Sequence, residues 1–216
     1  MKTAIIFDTE YLTDAGALGR LWFGPEDPDP MLVQIGAVAL SLEDDFEVLA
    51  RYEAVVMPRD RQGMPCQATP YFEELTGVSN ARIAQDGGTL QAGLDGLRDF
   101  AAGAPLWSWG KDELYALGVS CYLAGIAPPI PAHRFGNVRN LVLKAGMPQE
   151  DMARLSSNEL GGYYGLPNQD ARAHDAVDDA LSIAVALRHL LQKSALRPED
   201  FDRPVQAEGQ APRAVG

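Results

Sequence analysis

Lys2-Thr3-Ala4-Ile5-Ile6-Phe7-Asp8-Thr9-Glu10 opens the chain as an apolar run that breaks on two carboxylates. Residues 2–7 read as a short buried strand ending at Asp8. In an extended chain, residues two apart project to the same face, so Asp8 and Glu10 leave the strand end side by side. Two like charges held together against an apolar core repel and lose hydration unless a cation neutralises them. A divalent metal resolves that conflict; a strand terminus with solvated acids is the competing reading, and this element alone does not separate the two.

Outward from this stretch, residues 11–30 form a Gly-, Pro- and Asp-rich insert anchored by Leu21, Trp22 and Phe23. Met31–Leu40 is a second buried strand, and Phe46–Met57, with partial period-2 alternation, a third. A helix is expected over Pro70–Thr76, closed by Gly77 in the position a C-terminal cap favours. Thr89–Ala102 carries Leu90, Leu94, Leu97 and Phe100 on one stripe and reads as a helix. Leu106–Trp109 is a fourth strand, followed by a helix over Lys111–Ala124 that Gly125 stops. Residues 135–145 have a mixed pattern, Ser157 opens a short helix toward Tyr164, and Ala176–Lys193 is the last and clearest helix. Strands lead and helices follow, with strand–helix alternation, which predicts an α/β domain built on a mixed central sheet flanked by helices. The domain is expected to span residues 1–194. From Ala195 the composition turns to Pro, Glu, Gln, Ala and Gly without periodicity, which predicts a disordered tail over 195–216.

The 216 residues suit one domain with a sizeable core, being 46 % hydrophobic and 22 % charged. No run approaches the ~18 apolar residues of a membrane span, and charge arrives too early for a secretory leader; a cytoplasmic protein is expected. Cys66 and Cys121 suggest neither a disulfide framework nor a zinc site. The net charge of −12 argues against tight binding to duplex nucleic acid, where Lys and Arg contacts to phosphate supply most of the affinity.

Two further elements carry acids where apolar segments end. In Ser108-Trp109-Gly110-Lys111-Asp112-Glu113 an acid follows a hydrophobic strand at a strand-to-helix turn; helix capping explains such an acid equally well. In Ala173-His174-Asp175-Ala176-Val177-Asp178-Asp179-Ala180, three acids follow a histidine at a helix start. Asp179 shares its helical line with Ile183, Ala186 and Leu190, so it is the acid turned toward the core. An acid placed there is costly unless paired or metal-bound. His133 and His189 have no such setting and read as surface residues.

Phe7-Asp8-Thr9-Glu10, Val33-Gln34-Ile35-Gly36-Ala37-Val38, Glu74-Leu75-Thr76-Gly77-Val78-Ser79 and the closing His174-x-x-x-x-Asp179-Ala180 together resemble the DnaQ-like exonucleases of the DEDDh branch, over about Thr3 to Leu191. Ser108-Trp109-Gly110 is similar to the Eri1-like and KapD-like members. The resemblance implies an RNase H-like fold and a 3′-5′ exonuclease. It implies that Asp8, Glu10, Asp112 and Asp179 hold two Mg²⁺ or Mn²⁺ ions and that His174 deprotonates the attacking water. It places Thr9, Leu75 and Thr76 near the terminal nucleotide of a single-stranded DNA, RNA or oligonucleotide 3′ end, and it is compatible with a homodimer. One departure is plain: many relatives have two residues between the glycine and the middle acid, whereas Asp112 follows Gly110 after one. Glu113 is the alternative third ligand. Hard oxygen donors with no Cys suit Mg²⁺ or Mn²⁺, and histidine's ordinary pKa near neutrality suits a base. An HD-type phosphohydrolase would need more histidines than the chain supplies. A catalytically inactive docking module for a polymerase or other nucleic-acid enzyme is the remaining alternative.

Overall fold

The first strand runs further than its apolar stretch. β1 spans Thr3–Tyr11 and carries Asp8, Thr9 and Glu10 inside it, because pairing with the next strand continues through Asp8↔Gly36, Thr9↔Ile35 and Glu10↔Gln34. The expected end at Asp8 is thus a change in side-chain chemistry, while the backbone ladder goes on. The computed structural model describes residues 2–166 and 174–203.

β2 (Leu32–Ser41) is buried along its whole length, and β3 (Val48–Val55) forms the edge. β1, β2 and β3 pair antiparallel. β4 (Leu106–Ser108) then lies parallel to β1, and β5 (Phe135–Asn137) parallel to β4. The sheet order is β3-β2-β1-β4-β5. Between the strands come α1 (Pro70–Thr76), α2 (Asn80–Asp86), α3 (Leu90–Ala101) and α4 (Asp112–Ala124), then α5 (Val138–Lys144), α6 (Gln149–Met152), α7 (Leu160–Tyr163) and the long α8 (Ala176–Gln192). This is the expected α/β architecture, a mixed five-stranded sheet with helices on both faces.

Side-chain alternation along β1 assigns those faces. Ala4 and Ile6 pack with Val38, Ala180, Ile183, Ala184 and Leu187, the α8 side. Ile5 and Phe7 pack with Leu94, Leu97, Ala116 and Leu117, the α3 and α4 side. Asp8 and Glu10 continue the Ala4–Ile6 face and so project toward α8. A third apolar cluster under the insert joins Leu12 and Met31 to Phe72, Val78 and Ile83 of the α1–α2 region.

Gly36 sets how closely α8 approaches. It lies opposite Asp8 on β2, and a Cβ there would stand 2.2 Å from the Ala176 carbonyl carbon and 2.3 Å from the Val177 nitrogen. Only glycine lets the first turn of α8 rest on the sheet at that point. Gln34, two residues earlier, pins the same turn. Its fully buried amide donates to Asp175 Oδ2 (3.1 Å) and Glu53 Oε1 (2.8 Å), and its carbonyl oxygen accepts from the Ala176 N–H (3.2 Å).

α2, β5 and α6 escaped the sequence reading. α2 buries only Ile83, so it has no apolar period to detect, and β5 and α6 are three and four residues long. The expected tail is corrected over its first part. Leu196 and Phe201 are buried in the main core, Phe201 edge-on to Trp107 at 5.6 Å, and Lys144 and Lys2 pair with Asp200 and Asp202. A 3-10 turn at Pro198–Phe201 carries no helical periodicity, which is why composition alone misplaced it. The rest of the expected tail, 204–216, lies outside the described residues. Among the described residues no helix is long and apolar enough to cross a membrane.

Candidate active site

β1 and β4 are parallel, so their carboxyl ends lie on the same edge of the sheet. β1 brings Asp8 and Glu10 there; the chain leaving β4 brings Asp112 and Glu113 at the start of α4. α8, seated by Gly36 and Gln34, adds Asp179 in its first turn and His174 just before it. Asp8, Thr9, Glu10, Leu75, Asp112, Glu113, His174 and Asp179 line one cleft of about 400 Å³.

The carboxylates are close and poorly compensated. Ligand atoms of Glu10, His174 and Asp179 all lie within 4.8 Å of one another. Asp8, Glu113 and Asp179 are buried, and among the described residues no Lys or Arg pairs with any of them or with Glu10. Glu113 Oε2, Asp179 Oδ1 and Thr9 Oγ1 are buried without a hydrogen-bond partner. Unpaired buried polar atoms are uncommon, and each calls for a physical cause.

Burial and mutual repulsion move the titrations together. Asp8 is held well above the usual carboxylate range by burial first, then by Glu113, Glu10, Asp179 and Asp112. Burial, with Asp179, Asp175 and Glu113, raises Glu10 to about 9. Glu113 is raised to about 8 by burial and Asp112, against some help from the Ser108 hydroxyl. Asp179 rises to about 6 through burial, with Asp175 and Asp178 adding to it, while the backbone N–H of His174 pulls it down. Added positive charge would lower every one of these values, so the cluster could hold a cation.

Asp112 and Glu113 are placed differently. Asp112 is exposed; its carboxylate folds back over Gly110, where a Cβ would stand 2.3 Å from Oδ1, and receives a long 3.5 Å contact from the Tyr11 hydroxyl. Glu113 is 4 % exposed and is the strongest charge acting on Asp8. Thr76, expected near the nucleotide, is buried and is not among the residues lining the cleft; its hydroxyl donates to the Phe72 carbonyl (2.9 Å) and accepts from the Val78 N–H (3.0 Å), closing α1. Gln34, which positions the start of α8, was unmarked as a site residue; its signal is one amide in an otherwise apolar strand. His174 sits at φ 62°, a backbone region that costs a non-glycine residue energy and recurs at functional sites.

No family model matches the sequence, and no curated protein matches it. Solved structures do. The nuclease domain of 3′hExo, a DEDDh family member bound to rAMP, superposes with a TM-score of 0.74 at 19 % identity, over 90 % of this chain and 94 % of that one. Cell-death related nuclease 4 (CRN-4) gives 0.68 at 20 % identity, over 89 % and 64 %. The zinc-bound E. coli ExoI–ssDNA complex gives 0.63 at 15 % identity; it matches over 93 % of this chain, which spans only 42 % of that one. The fold is therefore the RNase H-like exonuclease fold of these neighbours.

Proposed function

We propose that the chain is a metal-dependent 3′-5′ exonuclease that hydrolyses single-stranded DNA, RNA or short oligonucleotides to nucleoside 5′-monophosphates. One observation carries this reading: buried carboxylates from three separate elements converge on one cleft with unpartnered oxygens and, among the described residues, no balancing Lys or Arg. A histidine nitrogen lies beside them. The structural neighbours, DEDDh-family nucleases among them, add support from the fold.

The donors fit a pair of Mg²⁺ or Mn²⁺ ions, being hard oxygens with no thiolate among them. Asp8, Glu10, Glu113 and Asp179 would hold the ions, with Asp112 at the rim. Glu113 is preferred to Asp112 because it is the buried acid whose charge Asp8 feels most. Two ions held there would supply positive charge to the attacking and leaving oxygens of the phosphodiester. The residues of the chain do the rest. His174 takes a proton from a water that attacks phosphorus; a P–O bond to that water forms as the bond to the 3′ oxygen breaks, and the 3′ oxygen leaves to be protonated by solvent. Thr9 and Leu75 contact the terminal nucleotide.

His174→Ala is expected to lower kcat by about 10²–10⁴-fold, the usual contribution of a positioned base, and to leave the metal-induced rise in Tm in place. Single-turnover rates at saturating Mg²⁺, measured together with Tm, check this. A variant as fast as the parent removes His174 from the mechanism.

A further inference from the structure

The insert over residues 11–30 builds one wall of the cleft. Tyr11, Thr13, Asp14, Gly16, Leu18 and Trp22 all line it. Trp22 is held from several sides. Its ring meets Tyr11 at 5.6 Å and Tyr115 at 6.2 Å, its indole N–H donates to the Leu12 carbonyl (3.2 Å), and its backbone N–H donates to the Ala17 carbonyl (2.9 Å). Leu21 and Trp22 both adopt left-handed backbone angles, φ 54° and 57°. Two consecutive L-residues in that region are held there at a cost. Arg20 closes the insert on itself through Asp27, at 2.6 and 3.2 Å. The wall is preorganised, yet Leu18 on it remains 58 % exposed.

The rest of the lining is also unusual for a site that meets a polyanion. α1 adds Tyr71 and Leu75, and none of the described lining residues is Lys or Arg. Arg20, the sole cation of the insert, is engaged by Asp27, and Asp14 and Asp112 stand at the cleft. With no Lys or Arg among the described lining residues, a long strand gains little there from its upstream phosphates. Aromatic and apolar side chains can instead hold bases, each stacked base being a substantial and sequence-tolerant source of affinity. A cleft of about 400 Å³ is at the small end of ligand pockets, which run from about 300 to 1,000 Å³.

We infer that the site is specialised for very short single strands, about two to four nucleotides long, whose base upstream of the scissile phosphate packs against Trp22 and Leu18. This rests on the exonuclease reading above and adds a substrate class to it. Two readouts test it: kcat/KM for single strands of two, four, eight and sixteen nucleotides across a salt series, and the kcat/KM ratio of a dinucleotide to thymidine 5′-(4-nitrophenyl phosphate). The ester has the scissile bond and one base but no upstream base. The expected profile is flat beyond four nucleotides, within about threefold, with a weak salt dependence. A binder of several phosphates would lose affinity with a log–log slope of about −0.7 per contact. Trp22→Ala should lower the dinucleotide-to-ester ratio about tenfold and Trp22→Phe by less than about threefold. A kcat/KM that climbs steadily with length and falls steeply with salt overturns the proposal. So does an unchanged ratio in Trp22→Ala, including the case in which that variant alters only the oligomeric state on size exclusion. If parent protein with Mg²⁺ or Mn²⁺ hydrolyses neither ester nor dinucleotide, the exonuclease reading itself has failed.

Discussion

Metal-free protein is expected to lose stability as the pH rises from about 5 to about 9, and to regain it when Mn²⁺ or Mg²⁺ is added. The sign follows from the direction of the shifts. Asp8, Glu10, Glu113 and Asp179 all have folded pKa values above the ordinary carboxylate range, so the folded state binds their protons more tightly than the unfolded chain does. The stability they contribute is full below pH ~4 and is lost as pH climbs through about 6 for Asp179, about 8 for Glu113 and about 9 for Glu10. Burial first, and mutual repulsion after it, drives the loss, and a bound cation offsets it by favouring the charged forms. At a hundredfold excess over its Kd, one bound ion adds about 2.7 kcal/mol, which for a chain of this size raises Tm by roughly 5–10 °C. Asp8→Asn should flatten the pH dependence, raise the Tm of the metal-free protein at pH 9 and abolish most of the metal-induced shift. Scanning calorimetry at several pH values, with EDTA and with Mn²⁺, measures all three. A Tm that rises through this pH window without metal, or that ignores Mn²⁺, contradicts the assignment of these acids to a cation site.

Glu113→Gln should cost far more activity than Asp112→Asn. Replacing groups that only orient metal ligands lowers affinity or activity by about 10–100-fold, so loss of a ligand should reach at least ~100-fold. Glu113 is the buried acid, with one unpartnered oxygen, whereas Asp112 lies at the exposed rim. The expected result is a loss of kcat at least ten times greater for Glu113→Gln than for Asp112→Asn, with the Mn²⁺ concentration for half-maximal rate raised in the former. The reverse ranking returns the third ligand to Asp112.

The distinction between these neighbours shows where sequence reading stops. Both acids follow the β4 apolar run, and helix capping, dipole and metal readings apply equally to each. What separates them is rotation about the first turn of α4, which is fixed by burial of Ala116, Leu117 and Cys121 against the sheet. The convergence of Asp8 and Glu10 was legible because a two-residue period in a strand is a local fact. Asp179 was legible because its helical line is apolar. For Thr76, the Leu-Thr-Gly setting gives no sign that the hydroxyl closes its own helix. Gln34 and Gly36 act through a contact with Ala176, about 140 residues away in sequence, and no local pattern reports that. Of the anchor expected at Leu21, Trp22 and Phe23, only Trp22 packs, while Leu21 and Phe23 are 59 % and 83 % exposed; the insert's place as a wall of the cleft depends on packing Trp22 between Tyr11 and Tyr115.

The most direct measurement uses 5′-labelled single-stranded DNA and RNA of identical sequence, incubated with the purified chain in Mg²⁺, in Mn²⁺ and in EDTA. A ladder that shortens from the 3′ end, releases nucleoside 5′-monophosphates and disappears in EDTA is the predicted result, and the faster polymer identifies the preferred sugar. Folded protein that leaves both strands intact in either metal would contradict the account and favour a docking module built on the exonuclease fold.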